Sequence, residues 1–135
     1  MRKLWRWLTN RRGDMVEGAL TFPLMALVAL ALVNLTLAGF ASTTANYAAG
    51  YGARAGSVAQ TDPAGRALAA SQSALRNGIG TYQIQVTADS YSGGVVRVAV
   101  NWSVPNLYGG LMPIFGAQSG PLKGTAVSAF RKEGW

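Results

Sequence analysis

The sequence predicts an α+β protein: a long N-terminal transmembrane helix, a second short helix and a small three-stranded antiparallel sheet. Three observations predict it. No residue from Gly18 to Ala53 is charged, and the Ala19–Ala41 part of that run is dominated by Leu, Ala and Val. A stretch bounded by "DP" at Asp62–Pro63 and by Gly78 carries helix punctuation at both ends. Two later stretches, Thr81–Asp89 and Val95–Val104, alternate apolar and polar residues around a Gly-rich turn.

Taking the elements in order, the 23 residues Ala19–Ala41 would rise about 34 Å as a helix, enough for a hydrocarbon core of about 30 Å. A soluble helix of that length needs a polar face, and here only Thr21, Asn34 and Thr36 are polar. The span is therefore read as transmembrane. Residues 1–13 carry Arg2, Lys3, Arg6, Arg11 and Arg12 with no acid, and Trp5 and Trp7 suit an interface. Under the positive-inside rule this sets the N-terminus in the cytoplasm and the remainder outside it. A secretory signal peptide cut after "GFA" (Gly39–Ala41) is the competing reading, but its apolar core would normally be only about 7–15 residues. Beyond the span, Ser42–Gln60 is rich in Ala and Gly and can prolong the helix. Tyr47 and Tyr51, four apart, share a face there.

In the second helix Asp62 suits the N-cap, Pro63 the first helical position and Gly78 the stop. Ala64, Leu68, Ser71 and Leu75 form its apolar stripe. In the first strand Tyr82, Ile84, Val86 and Ala88 face one way and Gln83, Gln85, Thr87 and Asp89 the other; the period of two marks a half-buried strand. "SYSGG" (Ser90–Gly94) turns the chain, and Val96, Val98, Val100, Trp102 and Val104 repeat the alternation, which makes a hairpin. A third strand is expected over Leu122–Lys132. Domain boundaries follow: 1–13 as a basic leader, 14–60 as the span with its extension, and 61–135 as an extracytoplasmic α+β domain.

The formal charge of +7 is mostly a property of the first thirteen residues. Five of the twelve basic groups lie there, leaving seven against five acids in residues 14–135. A nucleic-acid partner is not expected, because such binders carry the basic excess on the folded domain. With neither cysteine nor histidine, disulfides, Cys/His metal sites, Cys nucleophiles and His-dependent triads are excluded. There is no G-x-S-x-G and no S-x-x-K for a serine nucleophile. No enzymatic activity and no cofactor are expected. "NWS" (Asn101–Ser103) matches a glycosylation sequon but lies within a strand.

Two features invite partners. Asn34 lies two-thirds of the way along the span, where an amide gains from a helix–helix contact. The segment Pro105–Pro121 is punctuated by Pro and Gly yet carries Leu107, Tyr108, Leu111, Met112, Ile114 and Phe115. It either packs over the sheet or meets a partner or a membrane surface.

The opening "RRGDMVEGALTFP" (Arg11–Pro23) is the most specific stretch. Glu17 is favourable near a helix N-terminus, and Pro23 is tolerated as a transmembrane kink. Together, "RRG" followed by "VEGALTFPLMALVALAL" resembles the processing site and apolar helix of type IV prepilins. It is most similar to the TadE-like pseudopilins of tight-adherence (Flp) pilus systems. "TTANYAAGYGARAGSVA" (Thr43–Ala59) resembles the small-residue extension of that family. The resemblance implies cleavage between Gly13 and Asp14 by a prepilin peptidase. It also implies a role for Glu17 in pairing with a subunit N-terminal amine during assembly, since a carboxylate buried at an interface needs such a partner. The implied setting is the bacterial inner membrane, with a major Flp-type pilin and other pseudopilins as partners in a homo- or hetero-oligomer; a pseudopilin of a type II secretion or DNA-uptake machine and a membrane-anchored binding module with no filament role are the alternative readings.

Overall fold

The computed structural model describes residues 12–110 and 120–133. The fold is α+β: helix α1 (Arg12–Ser57), helix α2 (Pro63–Leu75) and strands β1 (Thr81–Ala88), β2 (Val95–Val104) and β3 (Leu122–Arg131). The chain divides into two compact units, Met1–Val33 and Asn34–Trp135. The division falls inside α1, so the later half of the long helix belongs to the second unit; from hydropathy alone the outer domain begins only after residue 60.

The first unit contributes the beginning of α1. Large apolar side chains on every side of it are exposed, among them Leu20, Phe22, Leu24, Met25 and Val28. A helix with no polar face and no cover has nowhere to hide its surface in water. By length and composition it can cross a membrane.

In the second unit α1 acquires an inside. Ala41, Ala45, Ala48, Ala49 and Ala53 are buried, and Gly52 and Gly56 lie on the same face. Spacings of three and four put these small residues on one stripe of the helix. The stripe admits close neighbours: a Cβ on Gly52 would stand 2.8 Å from the carbonyl oxygen of Ala67 in α2 and would overlap the Ser71 hydroxyl. One on Gly56 would stand 2.8 Å from both the Pro63 carbonyl oxygen and Val96 Cγ1. The Ser71 hydroxyl, fully buried, lies 2.9 Å from its own-helix acceptor Ala67 O and 3.2 Å from Ala48 O in α1.

The three strands lie in the order β1-β2-β3, antiparallel throughout. Val86 pairs with Val98 and Tyr82 with Trp102, while Val100 pairs with Ala126 and Val96 with Phe130. Val96, Val98, Val100 and Val104 are fully buried. Val96, Val98 and Val100 form the core with Ala45, Ala48, Ala49 and Ala53 of α1 and Ala67 of α2, and Tyr82, Ile84 and Val86 pack against it. The inward faces of β1 and β2 are those their alternation predicts. β3 contributes small residues inward: Ala126 is buried, and Gly124 leaves room for the Trp102 ring, which a Cβ would meet at 2.5 Å.

Asp62 caps α2 by accepting from Gly65 N at 2.9 Å, in a left-handed conformation (φ 48°). Gly78 N donates to Leu75 O at 2.9 Å where the helix closes. The stripe of α2 differs from expectation. Ala67 and Ser71 are the buried residues, and Ala74 and Leu75 pack beside them, whereas Leu68 is 38% exposed. The seam against α1 is too narrow for a leucine, so closeness outweighs hydrophobicity. At the other end of the sheet, Gly93 adopts φ 83° in the hairpin turn. Lys132 clamps this turn through N to Gly94 O (2.7 Å), O from Gly93 N (3.2 Å) and Nζ to Ser90 O (3.0 Å). Glu133 N then donates to Ser57 O, at the last turn of α1, at 3.0 Å.

Candidate functional site

The site residues drawn from the sequence fall into two groups, one on α1 and one on the segment after β2. Gly13 and Asp14 lie in the first turn of α1. Glu17 follows in the second turn, where its carboxylate is exposed. Pro23 is inside α1 and does not end it; having no N–H, it leaves the Ala19 carbonyl without its usual intrahelical donor.

Asn34 is only 6% exposed, and its side chain has partners in its own chain. Its Nδ2 donates to Asn106 Oδ1 at 2.8 Å, and its Oδ1 accepts from Leu107 N at 3.0 Å. The same Asn106 Oδ1 accepts from Tyr108 N at 3.0 Å, and the Asn106 carbonyl accepts from Gly109 N at 3.0 Å. Two asparagines thus clasp the start of the 105–110 turn to α1. The amide that hydropathy singles out as a helix–helix contact is engaged with this turn. Leu107 is 44% exposed on the clasped turn and Tyr108 is half-buried. Leu111, Met112, Ile114 and Phe115 lie outside the described residues.

Asn106 is the functional residue that sequence reasoning missed. Its local signal was available, because Asn between Pro and a turn commonly bonds the backbone two residues on. Its bond to a residue 72 positions earlier had no signal at all.

Tyr47 and Tyr51 stack with ring centroids 6.0 Å apart and planes 5° from parallel, both exposed. Tyr82, on the inner face of β1, donates its hydroxyl to Ile79 O at 2.9 Å. Burial pushes its phenol above the ordinary value of 10.0, partly offset by a hydrogen bond with Thr44. The outer face of the sheet carries a groove of about 510 Å³ lined by Thr81, Gln83, Asn101, Lys123 and Thr125. Its polar groups are neutral amides and hydroxyls with one lysine, beside Trp102 and Pro121, and Thr125 Oγ1 and Asn101 Oδ1 already bond each other at 2.6 Å. Among the described residues no cluster of three acidic groups could hold a metal ion. What the arrangement offers chemically is packing surface: a bare apolar helix, a small-residue seam and a pinned turn. No protein-family model, curated protein or solved structure matches the chain, so any family assignment stands on the resemblance carried by residues 11–59.

Proposed function

We propose that the chain is a pilin-like, single-pass protein of the bacterial inner membrane that takes part in assembling an adhesive pilus of the Flp type. It acts by helix packing and subunit insertion and not by catalysis. The observation that carries this reading is the two-part character of α1. Its first part has an exposed apolar surface on every side, and its second part is seated by an Ala/Gly face in a small α+β unit. Such a helix stores a subunit in the bilayer and offers the same apolar surface to neighbouring helices once the subunit is extracted. Gly13 and Asp14 would define the peptidase cut, and Glu17 would set register by pairing with the amine of an adjoining subunit. A carboxylate in an apolar helix bundle is tolerable only with such a partner.

A plain membrane anchor carrying an outer binding module is the second reading. The spacing of Gly13 and Glu17 favours it, since cleavage after Gly13 leaves the glutamate fourth where the family usually has it fifth. Intact-mass measurement of the protein from cells with and without a prepilin peptidase separates the two. A start at Asp14 that depends on the peptidase is expected. A Met1 start in both strains refutes the pilin reading and leaves the anchor. Glu17→Ala should leave membrane insertion intact and abolish pili; normal piliation in that variant would remove the register role.

A further inference from the structure

We propose that the clasped 105–110 turn is a lipid-contacting element, seated at the headgroup boundary where α1 leaves the membrane. The inference rests on the membrane-anchor reading of α1 and goes beyond the pilus assignment. It begins with charge. Residues 18–53 contain no charged group, and neither do residues 98–122. These are the two longest uncharged stretches of the chain; they meet in the core, where Ala45 and Ala49 pack with Val98 and Val100, and again at the Asn34–Asn106 clasp. Ionic side chains are expelled from an apolar slab, and the clasp, unlike the core, leaves apolar side chains of both stretches exposed, Leu35 and Leu107 among them.

Length agrees. Helix residues 17–33 rise about 25 Å, slightly less than the hydrocarbon core of about 30 Å. A helix that enters at Glu17 therefore still has Asn34 at the far edge of the apolar layer. Apolar side chains continue past it, with Leu35 70% exposed and Phe40 exposed. The clasped turn adds exposed Leu107 at the level of Asn34.

Polar satisfaction agrees as well. Where water is scarce every amide needs a protein partner. Asn34 uses both ends of its side chain, and Asn106 Oδ1 accepts twice.

The chain has no cysteine, so single-cysteine labelling is clean. Full-length Leu107→Cys, Leu24→Cys and Thr87→Cys would each carry a polarity-sensitive dye in phosphatidylcholine/phosphatidylglycerol vesicles. Aqueous iodide and shallow or deep nitroxide lipids serve as quenchers. The expected result is that the dye at position 107 is quenched by shallow nitroxide and protected from iodide several-fold relative to position 87, while position 24 responds to deep nitroxide. Asn106→Ala should return position 107 to the iodide sensitivity of position 87, with helicity unchanged by circular dichroism. Iodide quenching at 107 equal to that at 87, with 24 still deep, overturns the proposal and spares the anchor. Protection at 107 from both iodide and nitroxide also overturns it, because a protein surface would then cover the turn. Iodide access at position 24 refutes the anchor reading itself.

Discussion

Replacing Gly52 by alanine pits two effects of opposite sign against each other, and the structure decides between them. In a helix interior alanine is favoured over glycine by about 0.8–1 kcal/mol. Against this, the new methyl would lie 2.8 Å from Ala67 O, a backbone atom of α2, and would overlap the Ser71 hydroxyl. Ser71 can yield by rotating, at the cost of its bond to Ala48 O, worth about 1 kcal/mol. The Ala67 carbonyl cannot yield without moving α2, and forced overpacking costs about 1–3 kcal/mol. Gly50 is the internal control: it lies two residues away in the same helix, and a Cβ there meets nothing within 4 Å. Gly50→Ala should therefore stabilise by up to about 1 kcal/mol, and Gly52→Ala should destabilise by about 1–3 kcal/mol. The same substitution two residues apart would differ by about 2–4 kcal/mol. Urea unfolding of the full chain in a mild detergent, followed by circular dichroism and tryptophan fluorescence, measures it. A Gly52→Ala midpoint equal to or above that of Gly50→Ala would refute the claim that α1 and α2 meet through a seam with no room for a methyl group.

Three further outcomes follow from smaller features. Asp62→Ala should cost about 1 kcal/mol by removing the cap on Gly65 N, and Asp62→Gly should cost less, because glycine accepts φ 48° without penalty; urea midpoints rank the two. Tyr82 has a folded-state phenol pKa above its unfolded value of 10.0, so the folded state keeps a proton that the unfolded state loses. Stability should therefore decline as pH rises through 10, and the decline should be shallower in Tyr82→Phe over unfolding curves from pH 8 to 11. Asn34→Ala should leave the Leu107 amide without its partner and remove one of the two bonds to Asn106 Oδ1, lowering stability by about 1–3 kcal/mol and raising hydrogen exchange at Leu107 N.

Where one physical effect dominated, the sequence was readable. The alternation Val96, Val98, Val100 predicts a buried strand face because a strand has only two faces, and all three valines are fully buried. Asp62–Pro63 marks a helix start because cap chemistry is local, and α2 begins at Pro63. The stripe of α2 holds at Ser71 and Leu75 and differs at Leu68, because hydropathy ranks Leu68 above Ala67, whereas the packed seam rewards small volume. β3 was less legible for the same reason, since its inward residues Gly124, Ala126 and Ser128 are chosen to fit beneath Trp102 and the valines of β2. On the helix, Asn34 was noticed as a polar residue in an apolar run, but its partner across 72 residues is a tertiary fact with no periodicity. Gly13 and Glu17 belong to a different category: the roles proposed for them, cleavage and subunit register, would not be expressed in how a single chain folds.

The bond from Glu133 N to Ser57 O joins the end of the last strand to the end of the long helix. It closes the second unit into a ring in which the first and last elements are direct neighbours. Glu133 therefore lies beside the C-terminal turn of α1, and 23 residues of helix set that turn about 35 Å from Asn34. A reporter fused behind Glu133 would stand well clear of the clasp, and is the natural handle for following the protein in cells. Trimming the chain back to Arg131 would do the opposite, unlatching the hairpin turn and the helix end together, because Lys132 and Glu133 hold both.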